Sequence, residues 1–181
     1  MRDPGRFPPI KPEYAQAIGY VAAHWSLIEE QLGFIAYNLL SLHTIPGMAV
    51  TAELTTLQRI QLITTLVSLS GNKDWIDRWD AIAIVLDGLR NRRNNAIHST
   101  WRIVWAGHMS TRIKARGQVK VTYETLPTPV PLEELSSEIL SLIDQIDALT
   151  LSLLQGSAGK IINQFHPPGW TSPTQSQGRQ R

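Results

Sequence analysis

The chain has 181 residues, 43% of them hydrophobic and 18% charged, which suits one folded domain with a tail or insertion to spare and excludes a disordered chain. A net charge of +2 is too small to argue for a nucleic-acid partner by itself, and the lack of cysteine excludes disulfides and thiolate metal sites. No apolar run approaches the roughly 18 residues of a membrane span, and no secretory apolar block follows the start MRDPGRFPPIKPEY, so the expectation is a cytoplasmic protein without membrane contact.

Residues 1–12 read as an N-terminal arm. Apolar residues at Ile18, Val21, Trp25, Ile28, Leu32, Ile35, Leu39 and Leu42 then alternate steps of three and four, which predicts a first helix of about eight turns. Pro12 suits its start, and Pro46-Gly47 is expected to end it. A second helix, packed antiparallel to the first, turns Leu54, Leu57, Ile60, Ile63, Leu66, Val67 and Leu69 inward and closes at Ser70-Gly71-Asn72. A third begins near Lys73 and carries Trp75, Trp79, Ile82, Leu86 and Leu89 on one seam.

After Thr100 the period changes to two. Trp101, Ile103 and Trp105 alternate with Arg102 and Val104, and Val119, Val121 and Tyr123 with Lys120, Thr122 and Glu124. The pattern predicts a small antiparallel hairpin or meander over about residues 101–124, joined through Gly107 and a turn at Arg116-Gly117-Gln118. TLPTPVP opens a last helix with Glu133 and Glu134 in its first turn and a seam from Leu132 through Leu135, Ile139, Leu142, Ile146 and Leu149 to Leu153, stopped by Gly156. Residues 156–181, rich in Pro, Ser, Gln and Gly, read as a flexible tail. The fold expected is mostly α: an antiparallel four-helix bundle over residues 13–155 with a β insertion before the last helix.

The chemistry concentrates at the end of the third helix, in LRNRRNNAIHSTW. Of seventeen Lys and Arg, eight lie between Arg90 and Lys120 with no Asp or Glu among them, while the other nine face all fifteen acids. That block is a plausible polyanion footprint or a solvated face. On a wheel of about 100° per residue, Trp75, Trp79, Ile82, Leu86, Leu89 and Ile97 lie within about 40° of Arg93, so a guanidinium continues an apolar stripe. It must snorkel, pair with an acid, or face a groove meant for an anion. Glu29 on the first helix is the expected acid. Asn94 and His98 share the flank that also carries Arg90.

The run Arg93-Asn94-Asn95-Ala96-Ile97-His98 resembles the motif of the HEPN superfamily (higher eukaryotes and prokaryotes nucleotide-binding domain), in which an arginine followed by a polar residue precedes a histidine by a few residues. The long first helix with Trp25-Ser26-Leu27-Ile28-Glu29, the motif late in a helix and the closing helix extend the similarity over about residues 14–155. The resemblance implies a metal-independent endoribonuclease acting at a homodimer cleft, needing no cofactor, with Arg93, Asn94 and His98 as catalytic residues. A histidine can take the proton of a ribose 2′-hydroxyl, and an arginine can bind the phosphorane charge. Arg90, Arg92, Arg102, Arg112 and Lys114 are the expected RNA-binding cations, with Arg116 and Lys120 on the same hairpin face.

The alternative reading is a noncatalytic interaction or nucleotide-binding module with an antitoxin or other protein partner in a defence, toxin-antitoxin or phage-encoded system; a third is an assembly protein whose dimer seam is its purpose. Some toxin members carry a tyrosine two residues after the histidine, where this chain has Thr100, so control by a nucleotidyltransferase partner is not implied. Arg92 also reaches His98 at an acceptable spacing but lies off the seam. Trp25, Trp75 and Trp79 are core by spacing, and Trp101 and Trp105 read as covers between sheet and helices rather than base-stacking platforms. His24, His43, His108 and His166 share no ligand spacing, so no metal site is expected, and phosphate-loop and nucleophile-elbow patterns are absent.

Overall fold

The computed structural model describes residues 10–104, 107–114 and 120–155. In chain order they form α1 (Pro12–Leu39), α2 (Thr44–Ala52), α3 (Thr56–Leu69), α4 (Lys73–His98), β1 (Thr100–Val104), β2 (Gly107–Lys114), β3 (Lys120–Leu126) and α5 (Val130–Gln155). The fold is mostly helical, with one antiparallel three-stranded sheet in the order β1-β2-β3. The expected strand Trp105, the turn at Arg116-Gly117-Gln118, the helix stop at Gly156, the tail, and all but the last residues of the N-terminal arm fall outside the described residues.

Local chemistry explains the helix starts. Pro12 opens α1, where a missing N–H costs nothing. Thr55 caps α3 in a reciprocal box with Gln58, and the Asn72 side chain accepts from the Trp75 backbone N–H at 3.3 Å to start α4. The seams meet in one core holding Val21, Trp25, Ile28, Leu32, Ile63, Trp79, Leu86, Ile139, Leu142 and Ile146. Helix α1 packs against α5, α3, α2 and α4, and α4 packs against α5 and α3.

Three expectations fail here. Pro46-Gly47 does not end a helix: α1 stops at Leu39, Ser41 turns the chain with φ 50°, and the dipeptide lies in the first turn and a half of α2. Proline is tolerated there because first-turn N–H groups lack intrahelical partners. Gly47 lets α2 lie directly on α1, since a Cβ at that position would come 2.4 Å from Cβ of Tyr37. Leu57 and Leu69, expected inward, are exposed; they stand in the first turn and at the last residue of α3, where the helix ends reach past the core.

The third correction concerns the sheet. Its register pairs Trp101 with Ser110, Ile103 with His108, Arg112 with Thr122, and His108 with Leu126. One face therefore carries Trp101, Ile103, His108, Ser110, Arg112, Thr122, Glu124 and Leu126, and its buried members turn it toward the helices. Val121 and Tyr123, expected inside, stand on the outer face with Ile113 and are exposed. The inner face is fixed by Leu126, whose carbonyl accepts from Tyr14 Oη at 2.9 Å. Gly107, at φ 124°, sits where a Cβ would approach that same carbonyl oxygen to 2.3 Å.

Candidate functional site

Helix α4 carries its seam to Leu89 and Ala96 as buried residues, with Arg93 half-buried between them. The arginine Cζ lies 5.7 Å from the ring centroid of Trp25, a side chain with no exposure at all. This cation–π contact is the answer to a charge on an apolar stripe. Arg93 Nη1 donates to Asn94 Oδ1 at 3.0 Å, and its buried Nε has no hydrogen-bond partner. The expected acid is elsewhere engaged: Glu29 Oε1 accepts from Trp25 Nε1 at 3.0 Å and from Thr56 Oγ1 at 2.6 Å, and no Glu29–Arg93 ion pair forms. Arg93 is held by an aromatic face because Glu29 is spent on tying α1 to α3.

His98 is the last residue of α4 and is exposed. It lies about 7.5 Å further along the axis than Arg93 and about 140° around it, at 1.5 Å and 100° per residue. Arg93 and Asn94 are thus joined directly, whereas no hydrogen bond joins His98 to either. Around His98 the exposed surface of α4 continues through Asn91, Gly88 and Ile84, the last 76% exposed. That stripe has no partner element among the described residues.

The other expected cations separate into distinct settings. Arg90 pairs with Asp87 at 2.6 Å one turn back on α4. Arg92 grips Glu138 of α5 with both terminal nitrogens, Nη2 to Oε1 at 2.9 Å. Arg112 Nη1 donates to Asn95 Oδ1, tying the sheet to α4. The cations do not share one hairpin face as expected: the register sets Arg102 opposite Met109, on the outer face, and Arg112 on the inner one. Side-chain alternation forces this, since Arg102 has the parity of Thr100 and Arg112 that of Ser110. Lys114 is the register partner of Lys120 at the end of the sheet.

Four residues carry more than their sequence context suggested: His108, Tyr14, Asn95 and Glu124. His108 is completely buried, its Nε2 accepts from the Lys11 backbone N–H at 3.2 Å, and its ring lies 3.7 Å from that of Tyr14. Burial, helped by Lys11, holds its pKa below the usual histidine value, so the ring is neutral, and its buried Nδ1 has no partner. Burial pushes the Tyr14 hydroxyl above its usual value, with Glu13 adding to the effect. Asn95 and Glu124 line open polar depressions beside the end of α4, a role only the sheet register reveals. Trp101 covers the core edge as expected, donating from Nε1 to the Ala96 carbonyl at 2.7 Å.

Among the described residues no three His, Asp or Glu side chains gather as a metal-ligating group, and no helix is long and apolar enough to cross a membrane. Comparison with protein-family models, curated proteins and solved structures finds no significant match to this chain.

Proposed function

We propose that the chain is a HEPN-like endoribonuclease in which α1, α3, α4 and α5 act as an antiparallel four-helix bundle and two copies meet along the ends of α4. One observation carries the reading: the Arg93–Asn94 pair sits one turn from an exposed His98 at the terminus of a helix whose adjoining outer stripe is uncovered. The packing of α1 on α3 and α5, with α4 closing on both, supports the bundle. Ile84 at 76% exposure and the small Gly88 support a self-complementary contact that would bring two His98 side chains to one cleft.

In that cleft the neutral imidazole of one His98 takes the proton of a ribose 2′-hydroxyl. The freed oxygen attacks the adjacent phosphorus, the 5′-oxygen leaves with a proton from the imidazolium of the second copy's His98, and the products are a 2′,3′-cyclic phosphate and a 5′-hydroxyl end. Arg93 stabilises the phosphorane charge once its guanidinium leaves the Trp25 ring, Asn94 orients it, and Arg90 on the same flank draws in the backbone. No metal or other cofactor enters these steps.

The inward turn of Arg93 onto Trp25 favours a second reading, in which Arg93 is structural and the same α4 stripe holds an antitoxin or another protein partner. Purified protein incubated with single-stranded and structured RNA in chelator decides between them. Cleavage lost in both His98→Ala and Arg93→Ala is the expected result; undiminished cleavage in His98→Ala overturns the ribonuclease, and absence of cleavage by a dimer leaves the partner-binding reading.

A further inference from the structure

Helices α1 and α5 hold three and five acids respectively and not one of the chain's seventeen Lys and Arg, while α2 carries no charged residue at all. His24 Nδ1 lies 2.7 Å from Ser136 Oγ, and Ile35 shares a small cavity with Thr150 and Leu154, so α1 and α5 lie side by side along this length. At about 100° per residue, Tyr20, Leu27, Glu30 and Phe34 fall within an arc of about 80° on α1, and Leu140, Asp147, Leu151 and Leu154 within about 60° on α5. Tyr20, Leu27, Leu140, Leu151 and Leu154 are exposed, an unusual run of large apolar side chains on one face.

Two depressions meet on that face at Glu30 and Phe34. One, of about 490 Å³, lies against Asp147, Leu151 and Leu154 of α5; the other, of about 220 Å³, reaches Tyr37, Met48 and Arg59. Together they form one groove with an apolar floor. Arg59, at its far end, is turned onto main chain, donating to the Thr51 and Glu29 carbonyls at 3.0 and 2.9 Å. Among the described residues neither Glu30 nor Asp147 takes part in an ion pair, so the groove presents two unanswered carboxylates.

We propose that this groove docks a cationic amphipathic helix of a partner protein, its Leu, Ile or Phe side chains against Phe34, Leu151 and Leu154 and its Lys or Arg over Glu30 and Asp147. The walls are helices whose backbone groups are paired internally, so an extended peptide finds no edge to join and the occupant must satisfy its own backbone as a helix. The fourteen residue steps from Leu140 to Leu154 span about 21 Å, the length of about four helical turns. A second copy docking by the same face would set these carboxylates against their own kind, whereas a basic partner answers them. The groove uses neither α4 nor the sheet, so the inference stands apart from the ribonuclease reading.

Fluorescence anisotropy of the full chain with three labelled peptides of about fourteen residues tests the assignment. The first places leucine and lysine at three-and-four spacing, the second alternates the same residues with a period of two, and the third replaces lysine by glutamate. The first is expected to bind about tenfold or more tighter than either of the others. Leu151→Gln should weaken it about tenfold through lost apolar burial, and Glu30→Gln combined with Asp147→Asn about fivefold, a loss that shrinks as salt is raised. Leu151 and Glu30 are exposed, so neither change threatens the fold. Ile113→Gln, on the outer face of the sheet, should bind like the parent. Equal affinity for the three peptides, no binding of the first, or undiminished binding in both groove variants overturns the proposal. A dimer that Leu151→Gln disperses, seen by light scattering, overturns it too and gives the groove to a second copy.

Discussion

The Arg93 guanidinium lies over the indole of Trp25, 5.7 Å from its centroid, so a permanent cation stands against a completely buried aromatic ring with one buried N–H left unanswered. The contact joins α4 to α1 and makes Arg93 both a packing residue and the cation of the proposed site. Arg93→Met keeps the apolar stem and removes the charge. Its stability, measured by urea unfolding, should stay within about 1 kcal/mol of the parent, the size of a cation–π contact, while RNA cleavage disappears. Loss of several kcal/mol would mark Arg93 as structural first.

Glu29 binds Trp25 Nε1 and Thr56 Oγ1, while its backbone carbonyl accepts from Arg59 Nη1 at 2.9 Å. Removing the carboxylate leaves the buried indole N–H and the half-buried Thr56 hydroxyl without an acceptor. Glu29→Ala should therefore cost roughly 1–3 kcal/mol, and Glu29→Gln less, since its amide oxygen can still accept. Equal costs for the two would show that hydrogen bonding to Glu29 is not what joins α1 to α3.

The lowered pKa of His108 makes stability depend on pH in a definite direction. The unfolded chain takes up its proton first, near the ordinary value of 6.5, so the folded state loses ground as pH falls below that value and is unaffected above it. Denaturation midpoints between pH 7.5 and 5 should fall in the parent and fall less in His108→Gln. Parallel declines in the two proteins would remove His108 as the cause.

Gly107 combines a φ of 124° with a backbone neighbour at 2.3 Å from any added Cβ. Gly107→Ala should destabilise the sheet by about 2 kcal/mol or more. Faster amide exchange in β1 and β2 would locate the damage, and unchanged exchange would show that the approach to Leu126 can relax.

Ile84 is exposed on α4, so Ile84→Glu should leave monomer stability within about 0.5 kcal/mol. If two copies meet along that stripe, light scattering will show the variant as a monomer and its RNA cleavage will fall with dimerisation. A variant that remains dimeric moves the subunit contact elsewhere.

Most of the helical fold was legible in the residues. The three-and-four spacing around Trp25, Trp79 and Ile139 marks which side of each long helix is buried, because that signal is local, whereas the caps at Thr55 and Asn72 emerged only with the structure. The proline-glycine pair at 46–47 misled because a first-turn proline and a loop proline look alike until the neighbouring helix is in place. The position of Arg93 on an apolar stripe was equally plain, yet Glu29 and Trp25 stand one turn apart on α1, and sequence spacing could not say which would meet the guanidinium.

The sequence by itself determined helix faces, strand segments and the gathering of cations near residue 93, since these follow from periodicity and local charge. Only the tertiary structure decided which side of the sheet faces inward. A period of two marks alternation without saying which set is buried, and the anchoring of Leu126 by Tyr14 and the close approach of Gly107 settle it between segments far apart in the chain. That choice separates Arg102 from Arg112, exposes Tyr123, and leaves Asn95 and Glu124 lining a groove that no local pattern contains.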